Sequence, residues 1–308
     1  MALLTEPAAT VVLVTMDGVR IQELLDGADG ELSSDLAGMP VMENMMTTLV
    51  PKGVFLGNAS KGSRVHLGNP MGISMPGYQA IFSGGFKLCV SNQCGPLSGN
   101  TLLTDIAEKF DQSPVFFSGY QELCDGVAAR QSAARAFCGR DTLVEYAERL
   151  GLDAGGSADS IVIDVGLERL QNDPPKLVYL GFENSDSVGH SGNYPNYLAV
   201  LEQYDAYLAL IWAEVEKLNA AGHPTTLIVT TDHGRGYGSN WTQHRWNVPG
   251  TGNLWIFAAG HGVVQKGVLE DTQTRSLYDI RPTVEYLLGA PAQTGFWGEV
   301  ITELFAQG

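Results

Sequence analysis

An α/β fold is predicted: a three-layer sandwich whose mostly parallel central sheet is flanked by helices. Three observations lead there. Short β-favouring apolar runs recur at Thr10–Met16, Pro114–Ser118, Lys176–Phe182 and Leu227–Thr231, the pattern of buried strands. Helical patterns alternate with them at Thr101–Phe110, Asp141–Leu150, Ser157–Leu170 and Tyr194–Leu218. Several of the strand runs end on a carboxylate, at Asp17 and Asp232 directly and at Asp186 a few residues on. Ligands in open α/β sheets gather beyond the carboxyl ends of strands.

The chain has 308 residues, 44% of them hydrophobic, and can bury a sizeable core. We read residues 1–308 as a single catalytic domain, with a small insertion around 119–140. The formal net charge is −16. That argues against a nucleic-acid polymer or an acidic membrane as partner. An anionic substrate would then need bound cations to attract it. No run of 18 apolar residues suggests a membrane span. Residues 1–10 lack a basic segment followed by a long apolar one, so no signal peptide is expected in this chain. The oligomeric state is not legible from the sequence.

Four cysteines fall as two close pairs, Cys89 with Cys94 and Cys124 with Cys138. Neither pair has the tight two-residue spacing of a zinc finger. Two local disulfides are the preferred reading, with buried thiols or a metal site as alternatives. Disulfides imply an oxidising compartment, hence a periplasmic or secreted protein.

In chain order, Thr10–Met16 is the first strand and closes on Asp17-Gly18. Pro40–Val50 has a helical apolar pattern rich in methionine, and Val54–Leu56 is a short strand. The loop Gly57–Gly72, rich in Gly, Ser and Asn, ends at Ser74-Met75-Pro76-Gly77-Tyr78. Ser74 is placed to cap a helix, with Pro76 in its first turn. There a hydroxyl would face unpaired N–H groups and the positive dipole end, which stabilise an alkoxide or a phosphoryl group. Serine needs an activator to act as a nucleophile, and a metal would serve. The elbow Gly-x-Ser-x-Gly is absent around Ser74.

The ring Cys89–Cys94 would pin Asn92 as an oxygen-binding side chain. Gln121–Arg140 reads as an irregular insertion tied by the second cysteine pair. Asp141 is expected to cap the helix that follows. After the strand Lys176–Phe182, Asp186 and His190 lie four apart and would share a helix face. Asp232 and His233 follow the strand at Leu227, and His244 lies in the loop Trp241–Trp246. Asn253–Ala259 is a further strand, and Val284–Leu288 a final helix closed by Gly289. His66, His223 and His261 read as ordinary loop histidines. Carboxylates and imidazoles together suit divalent zinc, and three Asp, three His and Ser74 make two ligand sets.

The chain resembles the alkaline phosphatase superfamily, most closely its nucleotide pyrophosphatase/phosphodiesterase branch and bacterial relatives. Four ordered signatures carry the resemblance: Met16-Asp17-Gly18, Ser74-Met75-Pro76-Gly77-Tyr78, Asp186-Ser187-Val188-Gly189-His190 and Thr231-Asp232-His233-Gly234. It implies an alkaline-phosphatase-like fold and two zinc ions. One would be held by Asp186, His190 and His244. The other would be held by Asp17, Asp232, His233 and the Ser74 oxygen. Ser74 would be the nucleophile, and Asn92 would bind a non-bridging phosphoryl oxygen. The implied reaction hydrolyses a small phosphate ester through a covalent phosphoserine.

Some features depart from that pattern. The phosphodiesterase branch usually has threonine as nucleophile. Sulfatases of the superfamily need arginine where this chain has Tyr78, so a sulfatase is rejected. The chain is short for the family, which suggests reduced caps over the site. The arginine that clamps phosphate monoesters has no clear counterpart, the candidates being Arg235, Lys61, Arg64 and Lys87. Diesters are therefore expected as substrates. The alternatives are a phosphomonoesterase, a metal-independent serine hydrolase, a non-catalytic metal-dependent phosphate-binding protein, or a manganese-dependent phosphomutase whose larger cap is missing.

Overall fold

The computed structural model describes residues 4, 6–128, 134–290 and 297–306. In chain order the elements are β1 (Thr10–Met16), α1 (Ile21–Leu25), β2 (Gly53–Leu56), β3 (Val65–His66), α2 (Ser74–Ser83), α3 (Leu102–Phe110), β4 (Val115–Ser118), α4 (Gln121–Leu123), β5 (Arg135–Cys138), α5 (Arg140–Arg149), α6 (Ala158–Asn172), β6 (Leu177–Phe182), α7 (Asn184–Ser191), α8 (Tyr194–Ala220), β7 (Thr225–Thr230), β8 (Ile256–Gly260), β9 (Gly267–Val268), β10 (Arg275–Ser276) and α9 (Ile280–Leu287).

Among the described residues, eight strands form one sheet in the order β5-β4-β6-β1-β7-β8-β2-β9. Among the described residues, only β8 runs against its neighbours, pairing antiparallel with β7 and β2. The expectation of a mostly parallel sheet therefore holds. The side chains of β1 alternate between two cores. Val12, Val14 and Met16 pack with α1, α5, α6 and α8. Val11 and Leu13 pack with α2, α3, α4 and α9. That is the three-layer arrangement: period-2 side chains feed both faces, and amphipathic helices cover each.

Four local expectations are corrected. The methionine-rich segment is not a regular α-helix. Its regular part is a π-helical turn at Met45–Leu49 followed by a 3-10 turn at Val50–Lys52. Pro51 denies the next turn an N–H, and Gly53 leaves helical space to enter β2. Asp141 lies in the first turn of α5, whose cap is Gly139. Ser74 is the first residue of α2 and Ile73 the cap, with no side-chain capping bond. The Gln121–Arg140 segment is not wholly outside the fold, because its end supplies β5, which pairs in parallel with β4 at the sheet edge. Residues 129–133 of that segment lie outside the described residues.

Both expected disulfides are formed, Cys89–Cys94 and Cys124–Cys138. Among the described residues, no helix is long and apolar enough to cross a membrane.

Candidate metal centre

The adjacent strands β6, β1 and β7 deliver their carboxyl ends to one place. Asp17 follows β1, Asp232 follows β7, and α7 begins two residues after β6 and carries Asp186 and His190 one turn apart. The N-terminus of α2 closes against the same edge. Gly77 lets it do so: a Cβ there would lie 2.4 Å from the backbone oxygen of Asp232. Gly18 turns the chain after Asp17 at φ +64°, and a Cβ there would meet Asp186 Oδ1 at 2.7 Å.

Two groups of ligand atoms result, each within 4.8 Å of one another: Asp186 with His190 and His244, and Asp17 with Asp232 and His233. The structure thus brings together the residues that the resemblance grouped. Ser74 Oγ sits at the second group, 3.2 Å from His233 Nε2 and 3.4 Å from Asp17 Oδ1. The groups adjoin, since the rings of His233 and His244 stack with centroids 3.8 Å apart.

The surroundings orient the donors. His233 Nδ1 lies 3.0 Å from the carbonyl of Gly234, and His244 Nδ1 lies 2.8 Å from that of Gly72. A carbonyl only accepts, so each Nδ1 carries its proton and Nε2 is turned to the site. His190 Nε2 lies 2.9 Å from His244 Nε2 and 3.2 Å from Asp186 Oδ2. Ser185 donates to the backbone oxygen of Asp17 at 2.6 Å, and Gly18 N–H donates to Asp232 Oδ1 at 3.1 Å. Asp232 Oδ2 is buried 3.5 Å from His233 Nε2, with no hydrogen-bond partner among the described residues. An orphaned buried carboxylate oxygen facing an imidazole suits a divalent ion.

The buried carboxylates and imidazoles shift one another's titration in both directions. Burial, reinforced by Asp232 and Asp186, pushes the Asp17 carboxyl up to about 7. Burial also raises Asp232, against the pull of His233. For His233 burial is outweighed by Asp232, Asp17 and Asp186, which carry it up to about 9. Burial and the neighbouring His233 push His244 down to about 2. For Asp186, burial is overcome by His190, His233, Arg235 and His244, and its carboxyl lies well below the usual range.

Asn92 reaches α2, where its Oδ1 accepts the Met75 N–H at 3.1 Å. That bond commits the oxygen of the amide and leaves the NH₂ end as the donor. It also narrows the expectation of free N–H groups at this helix start. Met75 N–H is taken, and Pro76 has none.

Sequence reasoning missed two partners of the ligands. Tyr78 is buried and its hydroxyl donates to Asp17 Oδ2 at 3.0 Å. Arg235 is one candidate for a phosphate clamp. It does turn inward, but its guanidinium is engaged by Asp186 Oδ1, by the carbonyl of Trp241 at 2.9 Å and by that of Thr242 at 2.7 Å. It braces the ligand loops. Lys61 pairs with Glu270 on the surface. The only signal for Arg235 was its place two residues after His233.

A family profile described as the metalloenzyme superfamily matches residues 153–291. That stretch contains Asp186, His190, Asp232, His233 and His244. The 2,3-bisphosphoglycerate-independent phosphoglycerate mutase of Gloeobacter violaceus is 31% identical over 140 residues, covering 42% of this chain and 24% of its own. That of a Synechococcus species is 35% identical over 140 residues, with the same shares. The match thus spans about a quarter of the length of these curated relatives.

Among solved structures, the phosphonate monoester hydrolase of Agrobacterium radiobacter superposes with a TM-score of 0.68 at 14% identity, over 97% of this chain and 77% of that one. A 2-O GAG sulfatase gives 0.63 at 14%, over 96% and 73%. A protein of the alkaline phosphatase superfamily from Vibrio parahaemolyticus gives 0.61 at 15%, over 98% and 72%. These neighbours show that the fold is alkaline-phosphatase-like.

Proposed function

We propose that the chain is a zinc-dependent phosphoric ester hydrolase of the phosphodiesterase/nucleotide pyrophosphatase type, acting on small phosphate esters through a covalent intermediate on Ser74. The observation that carries the reading is the position of Ser74 Oγ, within 3.4 Å of both Asp17 and His233 beside a second ligand group. Asp17, Asp232, His233 and the Ser74 oxygen would hold one zinc, and Asp186, His190 and His244 the other. When bound, such ions offset the charge of a phosphate ester and make hydroxyl oxygens better nucleophiles at neutral pH. Ser74 Oγ attacks phosphorus and the ester bond to the leaving alcohol breaks. Water then cleaves the Ser74–phosphorus bond. Asn92 donates its amide N–H to a non-bridging phosphoryl oxygen, held in that orientation by Met75 N–H.

The engagement of Arg235 supports a preference for diesters. A dianionic monoester asks for a free cation, and Arg235 is already bound to Asp186 and two carbonyls. Turnover of a panel of p-nitrophenyl monoesters and diesters with zinc present tests this directly. Diesters should be cleaved faster, and the reverse order would make the chain a phosphomonoesterase. The similarity to phosphoglycerate mutases favours one second reading, a phosphomutase that returns the phosphoryl group from Ser74 to its substrate. Release of inorganic phosphate or a phosphomonoester, against an isomerised phosphate ester, separates the two. The disulfides support a periplasmic or secreted location.

A further inference from the structure

Ser74 and Tyr78 stand four residues apart on α2 and so share one face of it. Both reach the same carboxylate. Ser74 Oγ lies 3.4 Å from Asp17 Oδ1, while the Tyr78 hydroxyl donates to Asp17 Oδ2 at 3.0 Å. His233 Nε2 is also on the Oδ1 side, at 3.3 Å. The two oxygens are thus divided between two tasks. Oδ1 faces the nucleophile and the imidazole, and Oδ2 is tied back by a phenol. Tyr78 is 1% exposed, and its ring lies against that of Tyr120 with centroids 6.4 Å apart. The phenol is therefore packed in place, and no solvent competes for its bond.

We propose that Tyr78 is a positioning residue for the Asp17, Asp232, His233 group, holding Asp17 so that it offers a single oxygen, Oδ1, to the metal shared with Ser74. Without the phenol, Oδ2 would be freed, and Asp17 could rotate and lose its alignment with Ser74 Oγ. Outer partners of metal ligands commonly set affinity in this way, because they fix which atom of the ligand is presented. The proposal rests on the reading of Asp17, Asp232 and His233 as metal ligands. It adds a role for the position whose only earlier meaning was to rule out a sulfatase.

Calorimetric zinc titration of the metal-free chain tests it without using turnover. The wild type should bind at two sites. Tyr78→Phe keeps the ring and removes only the donor. It should weaken one site by roughly 10- to 100-fold and leave the other, which the Asp186, His190, His244 group provides, within about twofold. Tyr78→Met lacks the donor as well and should lose the same site, so that either variant, if folded by circular dichroism, suffices. Tyr120→Phe, which alters the neighbouring ring and not the Asp17 bond, should match the wild type. Equal weakening at both sites would make Tyr78 a packing residue and overturn the proposal, as would unchanged affinity at both. A wild type that binds no zinc would instead overturn the metal reading itself, and the inference with it.

Discussion

Arg235 carries one of the sharper residue-scale consequences of the structure. It is fully buried and braces Asp186 and the carbonyls of Trp241 and Thr242. Gly189 makes room for it, since a Cβ there would fall 2.7 Å from the guanidinium carbon. Arg235→Met should strand a mostly buried carboxylate and two carbonyls, at a cost of about 3–5 kcal/mol. Urea denaturation of the metal-free chain measures that loss. Whatever turnover remains should keep the wild-type ratio of diester to monoester rates. A selective loss of monoester cleavage would show that Arg235 touches substrate after all.

Most of the candidate site was legible residue by residue. Asp17, Asp186 and Asp232 stand after apolar runs, so the strand ends pointed to them. Asp186 and His190 share a face of α7 because the segment is helical, which their four-residue spacing allowed. What stayed hidden depends on tertiary approach. The contacts of Tyr78 with Asp17 and of Arg235 with Asp186 join residues 61 and 49 positions apart. No local periodicity encodes such pairs. The helix start at Ser74 was misplaced by one residue, because Ile73 takes the extended cap conformation and frees the serine hydroxyl for the site.

At the scale of elements, the two disulfides should differ in what they protect. Cys124–Cys138 spans 14 positions and ties the start of the insertion to the end of β5. Loop-closure entropy gives such a bridge about 3 kcal/mol. Replacing both cysteines by serine should lower stability by that order and loosen the sheet edge, with amide exchange rising first in β5. Cys89 and Cys94, separated by 5 in sequence, close a small ring around Asn92. Removing this bridge should cost less stability but slow turnover, by releasing the side chain that bonds Met75 N–H. Equal stability losses with unchanged turnover would contradict that division. β5 itself escaped the sequence reading because Arg135–Cys138 is four residues long, partly exposed, and adjoins an irregular loop. The long apolar strands needed no such context.

Across the whole molecule, an acidic chain has to manage buried carboxylates. One place is remote from the candidate site. The Arg281 guanidinium donates to Glu285 at 2.8 Å, to Asp105, and to the carbonyls of Ser83 and Asn100, joining α9 to α2 and α3. Burial, opposed by Arg281 and reinforced by Asp105, pushes the Glu285 carboxyl up to about 7 from its usual 4.5. A carboxyl raised on folding binds its proton more tightly in the folded chain, so its contribution is present below pH 4.5 and is lost as pH rises through 7. Relative to Glu285→Gln, the wild type should lose up to about 3 kcal/mol between pH 5 and 8. Urea titrations of both chains across that range check the sign. Parallel profiles would remove Glu285 from the account.

The sheet, the two ligand groups and the helix start at Ser74 meet in one chemical claim, that Ser74 carries the phosphoryl group during turnover. The direct measurement is acid quenching of the zinc-loaded chain while it cleaves a p-nitrophenyl diester, followed by intact-mass and peptide analysis. The predicted result is an adduct of one phosphoryl group with its remaining ester substituent, mapped to Ser74 and absent from Ser74→Ala, whose turnover falls by several orders of magnitude. An unmodified Ser74 throughout turnover, together with a Ser74→Ala variant that still hydrolyses the diester, would contradict the claim.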